Sequence, residues 1–219
     1  LIKNFYLSLK SKPFVILAGT SGTGKTKLVK LFADSIGAKY KLVPVRPDWS
    51  DSSDLFGHLD LNGSFIEGAL IRFIKEASED TDKPYILCLD EMNLARVEYY
   101  FSDFLSIIET RRFENGIIIS DPLVNKNIYG ASEEAHHKFG ELRFPENLYI
   151  IGTVNMDETT FPFSRKVLDR ANTIEFSYVD LIPSENSQEE IPALAIISND
   201  FLKSEYIQLS HCDDKDYVI

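Results

Sequence analysis

Two cysteines, two methionines and one tryptophan stand among 219 residues, and basic side chains fall so far short of acidic ones that the formal charge is −11. Each shortage excludes something. Cys88 sits inside an apolar run and Cys212 near the end, so neither a disulfide framework nor a thiolate zinc site is available, and a reducing cytoplasm suits the chain. No window holds the roughly 18 apolar residues that a membrane span requires. No secretory leader opens the sequence, which begins at Leu1 without methionine and reads as an excised fragment. The acidic balance removes bulk electrostatics as a way to grip DNA, since nonspecific affinity for phosphates rests on clustered Lys and Arg. Any DNA contact is local or made by other domains.

What is present is an α/β rhythm. Apolar runs of strand length recur at 14–18, 40–45, 85–89, 148–154 and 173–176. Helical patterns lie between most of them. Residues 25–36 place Leu28, Val29, Leu31, Phe32 and Ile36 near a 3.6-residue period, with Gly37 where a helix end favours positive φ. Residues 97–109 show a similar face, read as one helix. Nearly continuous apolar strands separated by helices predict a parallel five-stranded sheet covered on both sides. Two segments interrupt the rhythm. Residues 53–77 hold an Asn62-Gly63 turn between short extended pieces, then a helix from about Gly68. Residues 111–143 read as a strand at 117–119 followed by a polar excursion with Gly130, His136 and His137; excursions of this length are functional or mobile. We expect an α/β domain over 1–180 and, over 181–219, a linker and the start of a truncated second domain.

The chemistry concentrates in "GTSGTGKT", residues 19–26. Gly19, Thr20, Ser21, Gly22, Thr23, Gly24, Lys25 and Thr26 follow G-x-x-x-x-G-K-[ST]. In that pattern backbone N–H groups at a helix N-terminus surround phosphate oxygens, the lysine reaches the terminal phosphates and the Thr hydroxyl ligates Mg²⁺. A strand before and a helix after distinguish it from a flexible turn with a solvated lysine. "YILCLDEMN" ends a strand on Asp90, suited to holding the metal, with Glu91 next to polarise an attacking water. "LYIIGTVNMDETT" ends another strand on Asn155, whose amide suits the γ-phosphate or that water; a loop cap is the plainer reading. Arg165 and Arg170 precede the last strand. They are candidates to act across a subunit interface, or form surface salt bridges to Asp169 or Glu175.

In this order, the cradle, Asp90-Glu91, Asn155 and Arg170 resemble the AAA+ ring NTPases, over about residues 13–180. The resemblance implies Walker A, Walker B, sensor 1 and arginine-finger roles, with Arg170 at the usual finger position and Arg165 as second candidate. "DLFGHLDLNGSFIEGAL" resembles a helix-2 insert, and the excursion before Asn155 a pre-sensor-1 insert, of the clade holding MoxR, dynein and McrB. The tract from Asp90 to Ala171 is most similar to McrB-type motor subunits of modified-cytosine-dependent restriction systems. That family implies a hexameric ring, translocation on DNA, a McrC-like nuclease partner, Mg²⁺ and a truncated helical lid here. "NMDETT" after the asparagine and "DEMNLA" depart from that family's best-known, GTP-preferring member, so GTP and ATP both stand as substrates. A MoxR-like ATP-driven chaperone, or a nucleotide-gated assembly module with little turnover, are the competing readings.

Several residues invite more than they support. His136-His137 lack helical metal-ligand spacing and read as solvated. Cys88 reads as an inert core thiol. Tyr99, Tyr100, Phe101 and Phe104 read as helix packing, with Tyr99 at a subunit face; Trp49 reads equally as core or pore-facing. "DDKD" (213–216) is a solvated run.

Overall fold

The computed structural model describes residues 1–62, 64–123, 137, 139–156, 160–176 and 196–204. Gly63, Gly130, His136, Asp157, Glu158, Cys212 and the 213–216 run lie outside the described residues, as does most of the expected 181–219 unit.

Five strands join into one sheet: β1 (Phe14–Gly19), β2 (Lys39–Pro44), β5 (Tyr85–Asp90), β8 (Leu148–Asn155) and β9 (Asn172–Phe176), in the order β2-β5-β8-β1-β9. All four pairings are parallel. Alternation along each strand sorts the apolar residues into two cores. Val15, Leu17, Ile86, Cys88 and Ile151 face α1 (Ile2–Ser11) and α2 (Lys25–Ile36), meeting Phe5, Leu9, Val29, Phe32 and Ala33. Phe14, Ile16, Leu87, Leu89, Ile150 and Val154 face the other way. There they meet α4 (Ala69–Glu79), α5 (Val97–Tyr100) and α6 (Ser102–Glu109), through Leu70, Phe73, Tyr100, Phe101 and Phe104. Each fully buried large side chain contributes about 1.5–3 kcal/mol of transfer free energy, so burial on both faces fixes the sheet.

The stretch expected as one helix over 97–109 is two pieces, α5 and α6, joined at Phe101 with φ −111° and ψ 6°. Main-chain bonding continues through the joint, from Phe101 N–H to Val97 and from Leu105 N–H to Phe101. The bend lets the buried Phe101 ring stack on Phe104 at 4.5 Å and meet Phe14 at 5.4 Å; packing has overridden regular helix geometry. α1 has no counterpart in the expected elements.

Both interrupting segments carry antiparallel hairpins. β3 (Gly57–Leu59), which follows the one-turn α3 (Ser53–Phe56), pairs β4 (Phe65–Glu67), and the Asp60 carboxylate accepts the Asn62 and Ser64 N–H groups at the turn. The expected strand at 117–119 is β7 (Ile117–Ile119), and it has a partner the sequence reading omitted, β6 (Arg112–Glu114). Asn115 and Gly116, both at positive φ, make the two-residue turn between them. Trp49 is core, edge-on to Tyr100 at 5.3 Å. Cys88 is fully buried, which pushes its thiol up to about 12 and keeps it unreactive. His137 is exposed, and Tyr99 is 53% exposed beside its buried neighbours Tyr100 and Phe101.

Candidate active site

Strand alternation decides which side chains meet. Val15, Leu17 and then Gly19 follow one parity along β1, as do Ile86, Cys88 and Asp90 along β5, and Ile151, Thr153 and Asn155 along β8. The polar ends of three strands therefore emerge on the face that α2 covers, at the carboxyl edge where a parallel sheet binds ligands. α2 begins at Lys25, six residues after β1 ends, so its unbonded first N–H groups open at that same edge.

The connecting turn needs glycine for two separate reasons. Gly24, the N-cap of α2, has φ 86° in open surroundings, so backbone conformation is its constraint. Gly19 is constrained by space: a Cβ there would collide with the main-chain carbonyl of Phe176 on β9. Lys25 is only 5% exposed. Its ammonium folds back into the turn, donating to the Gly19 carbonyl at 3.0 Å, the Thr20 carbonyl at 2.7 Å and Thr23 Oγ1 at 3.4 Å. A buried charge satisfied by exchangeable acceptors is poised for a stronger, anionic one. Thr20, Ser21, Gly22 and Gly24 are exposed around it.

Thr26, one residue into α2, donates its hydroxyl to Asp90 Oδ1 at 2.6 Å. Thr153 Oγ1 donates to the same oxygen at 2.8 Å and accepts the Glu91 N–H at 3.0 Å. Glu91 itself holds φ 52°, a left-handed conformation that costs a non-glycine residue about 1 kcal/mol or more. Its carboxylate accepts from the Asn155 amide at 2.7 Å. Asn155 is steadied through its backbone: its carbonyl accepts from Asn93 Nδ2 at 2.7 Å and Thr160 Oγ1 at 3.1 Å, and its N–H donates to Asn93 Oδ1 at 3.4 Å. β8 is tied to the cradle where Met156 N–H reaches the Gly19 carbonyl at 3.2 Å. Thr26, Asp90, Glu91 and Asn155, chosen from sequence, thus form one hydrogen-bonded chain.

Thr153 and Asn93, at 2% and 3% exposure, belong to that chain and were absent from the sequence reading. A signal existed for Thr153: it is an aliphatic hydroxyl within a largely apolar strand, two residues before Asn155 and so on the same face. Asn93 gave no such signal, because its position depends on the 3₁₀ turn Met92–Leu94.

The oxygen set suits magnesium carried by a nucleotide. Thr26 Oγ1 and the Asp90 carboxylate are hard oxygen donors joined by a 2.6 Å hydrogen bond to Oδ1, and donation to Asp90 leaves the Thr26 lone pairs available. Among the described residues no group of three or more His, Cys, Asp or Glu could hold a metal ion. Mg²⁺ needs no such cage, since it keeps several waters and takes the rest of its shell from one or two protein oxygens and substrate phosphates.

The two arginines differ sharply. Arg170 is committed within its own chain: Nε donates to the Leu105 carbonyl at 3.0 Å, while the two terminal nitrogens reach the Lys166 carbonyl and the Glu109 carboxylate. Neither Asp169 nor Glu175 is its ion-pair partner. Arg165 opens the one-turn helix Arg165–Leu168, is exposed, and its side chain bonds no described residue.

The chain is similar to known proteins over most of its length. A family model described as AAA domain (dynein-related subfamily) matches residues 14–171. The EcoKMcrB subunit of a type IV methyl-directed restriction enzyme of Escherichia coli K12 is 28% identical over 190 residues, which cover 83% of this chain and 38% of that protein. Lon protease of Mycoplasma mobile is 25% identical over 214 residues, 98% of this chain and 22% of that protein. The chain therefore spans well under half the length of these relatives. A crystal structure of an ATPase candidate from Cytophaga hutchinsonii shares the fold, with a TM-score of 0.54 at 16% identity over 92% of this chain and 55% of that one. With the parallel sheet and the site geometry in agreement, the chain belongs to the dynein-related subfamily of AAA domains.

Proposed function

We propose that this protein is a Mg²⁺-dependent nucleoside triphosphatase, hydrolysing the β–γ anhydride of GTP or ATP as the ring motor of a McrBC-like DNA restriction system. One observation carries the hydrolytic part: Thr26, Asp90, Thr153, Glu91 and Asn155 form an unbroken hydrogen-bonded chain beside a lysine-filled glycine turn. In this reading the triphosphate displaces the Gly19 and Thr20 carbonyls from Lys25, and α2's free N–H groups take phosphate oxygens. Thr26 and Asp90 hold the metal, which when bound neutralises charge on the β- and γ-phosphates. Glu91 orients the attacking water and accepts its proton, while Asn155 holds the Glu91 carboxylate or the γ-phosphate.

A trans-acting arginine completes such sites and raises rates by about 10³- to 10⁵-fold. The family resemblance favours Arg170. Its three intramolecular contacts and the freedom of the exposed Arg165 side chain support Arg165 instead. The AAA family and the likeness to EcoKMcrB support a homo-oligomeric ring, a McrC-like nuclease subunit and DNA held by other domains. A second reading, a motor acting on polypeptide, is favoured by the Lon proteases, one of which aligns over 98% of this chain. Among the described residues no helix is long and apolar enough to cross a membrane.

The test is steady-state hydrolysis of ATP and GTP by the assembled full-length protein and Glu91→Gln. We expect turnover in the wild type and a loss of at least about 100-fold in the variant; equal inactivity of both leaves only a nucleotide-gated assembly module. Stimulation by DNA and not by unfolded polypeptide separates restriction from protein remodelling.

A further inference from the structure

We propose that Thr153 is the positioning residue that sets the metal-binding Asp90 carboxylate and the Glu91 base in one mutual geometry. The inference rests on the nucleotide-hydrolysis reading of this edge and adds to it a residue that touches neither nucleotide nor water.

A threonine hydroxyl has one proton to give and two lone pairs to offer. Here both functions are assigned. The proton goes to Asp90 Oδ1 at 2.8 Å and a lone pair takes the Glu91 N–H at 3.0 Å. Because Asp90 Oδ1 also receives the Thr26 hydroxyl at 2.6 Å, one carboxylate oxygen is held between a donor from α2 and a donor from β8. The carboxylate cannot turn without losing both. Its second oxygen bonds no described residue and remains for the ligand side.

The other half of the argument concerns Glu91. Its left-handed backbone, φ 52°, is a conformation that persists only where the surroundings over-determine it. β8 supplies that restraint at both ends of the residue: Thr153 accepts the main-chain N–H, and Asn155, two residues on and on the same strand face, bonds the side-chain carboxylate. At 2% exposure Thr153 is shut off from bulk solvent. Removing the hydroxyl would release the carboxylate and the base together, while the cradle formed by residues 19–25 keeps its own contacts.

Thr153→Val preserves shape and deletes the hydroxyl; Thr153→Ser keeps it. Affinity for a fluorescent non-hydrolysable triphosphate is measured in full-length protein with Mg²⁺ and with EDTA, alongside kcat. For the valine variant we expect affinity in EDTA within about twofold of wild type, the Mg²⁺-linked gain in affinity reduced about tenfold, and kcat reduced about 10- to 100-fold; serine should restore both. Unchanged Mg²⁺ linkage and kcat in Thr153→Val overturn the proposal, as does a serine variant impaired as badly as valine, which would show that packing and not the hydroxyl matters. Should the valine protein fail to fold, Thr153→Ala is read by the same ratio. A wild type that shows the Mg²⁺ linkage without turnover, and loses it in the valine variant, supports the positioning role while refuting hydrolysis. Wild-type protein with neither property refutes both.

Discussion

The two ends of the sheet are built from the same residue type put to opposite uses. At the amino edge, buried Asn147 directs one amide group at three main-chain carbonyls, Ala77 at 2.9 Å, Asp80 at 2.8 Å and Lys83 at 2.9 Å, sealing the end of α4 to the entry of β5. At the carboxyl edge, Asn155 directs its amide at a carboxylate, and Thr26 and Thr153 likewise bond a side chain. Main-chain carbonyls of a folded element cannot leave. The half-buried Thr26, Asp90, Glu91 and Asn155 side chains can change partners around the buried Thr153, so the carboxyl edge can accept a ligand that the amino edge would have to unfold to receive. Volume alone would mislead: a cavity of about 570 Å³ opens at the amino edge, lined by Phe144, Asn147 and Asn199, and contains no residue of the hydrogen-bonded chain.

The largest expected break in this comparison is Lys25→Ala. It removes the one buried cation of the cradle and should abolish triphosphate binding, read by fluorescence titration; unchanged affinity would contradict the exchange of partners on which the carboxyl edge depends. Next comes the arginine pair. Arg165→Ala should retain nucleotide binding and lose about 10³-fold or more in turnover, with activity recovered on mixing with Glu91→Gln subunits, because each mutant supplies what the other lacks. Arg170→Ala should mainly loosen the contact between α6 and the Arg165–Leu168 helix and keep most turnover; the reverse ranking would restore Arg170 to the finger role. The smallest functional effect is expected from Asn147→Ala, which takes a donor from the buried Ala77 carbonyl and from the part-buried Asp80 and Lys83 carbonyls. That should cost about 2 kcal/mol and lower the melting temperature by about 4–8 °C while sparing kcat.

What the sequence disclosed follows the same division. The glycine turn, the strand-ending Asp90 and Asn155 and the five apolar strands were legible because each is a local signal: a spacing, a period or a terminus. The bend at Phe101 was not, since it depends on the contact with Phe14, 87 positions away in the chain, and no periodicity records that. β6 was missed although Asn115-Gly116 is a strong hairpin signal, because Arg112, Phe113 and Glu114 are too short and too exposed to stand out as a strand. The commitment of Arg170 to Glu109 rather than to Asp169 or Glu175 likewise required the chain to bring α6 alongside. Parity along β8 would have recovered Thr153. Nothing local would have recovered Asn93.

The most direct measurement is a crystal structure of the protein with Mg²⁺ and a non-hydrolysable triphosphate. The account predicts phosphates over residues 19–26 with Lys25 swung from the Gly19 and Thr20 carbonyls onto phosphate oxygen, and the metal against Thr26 and Asp90. A triphosphate seated in the amino-edge cavity, or a Lys25 still bonded to its own turn, would contradict it.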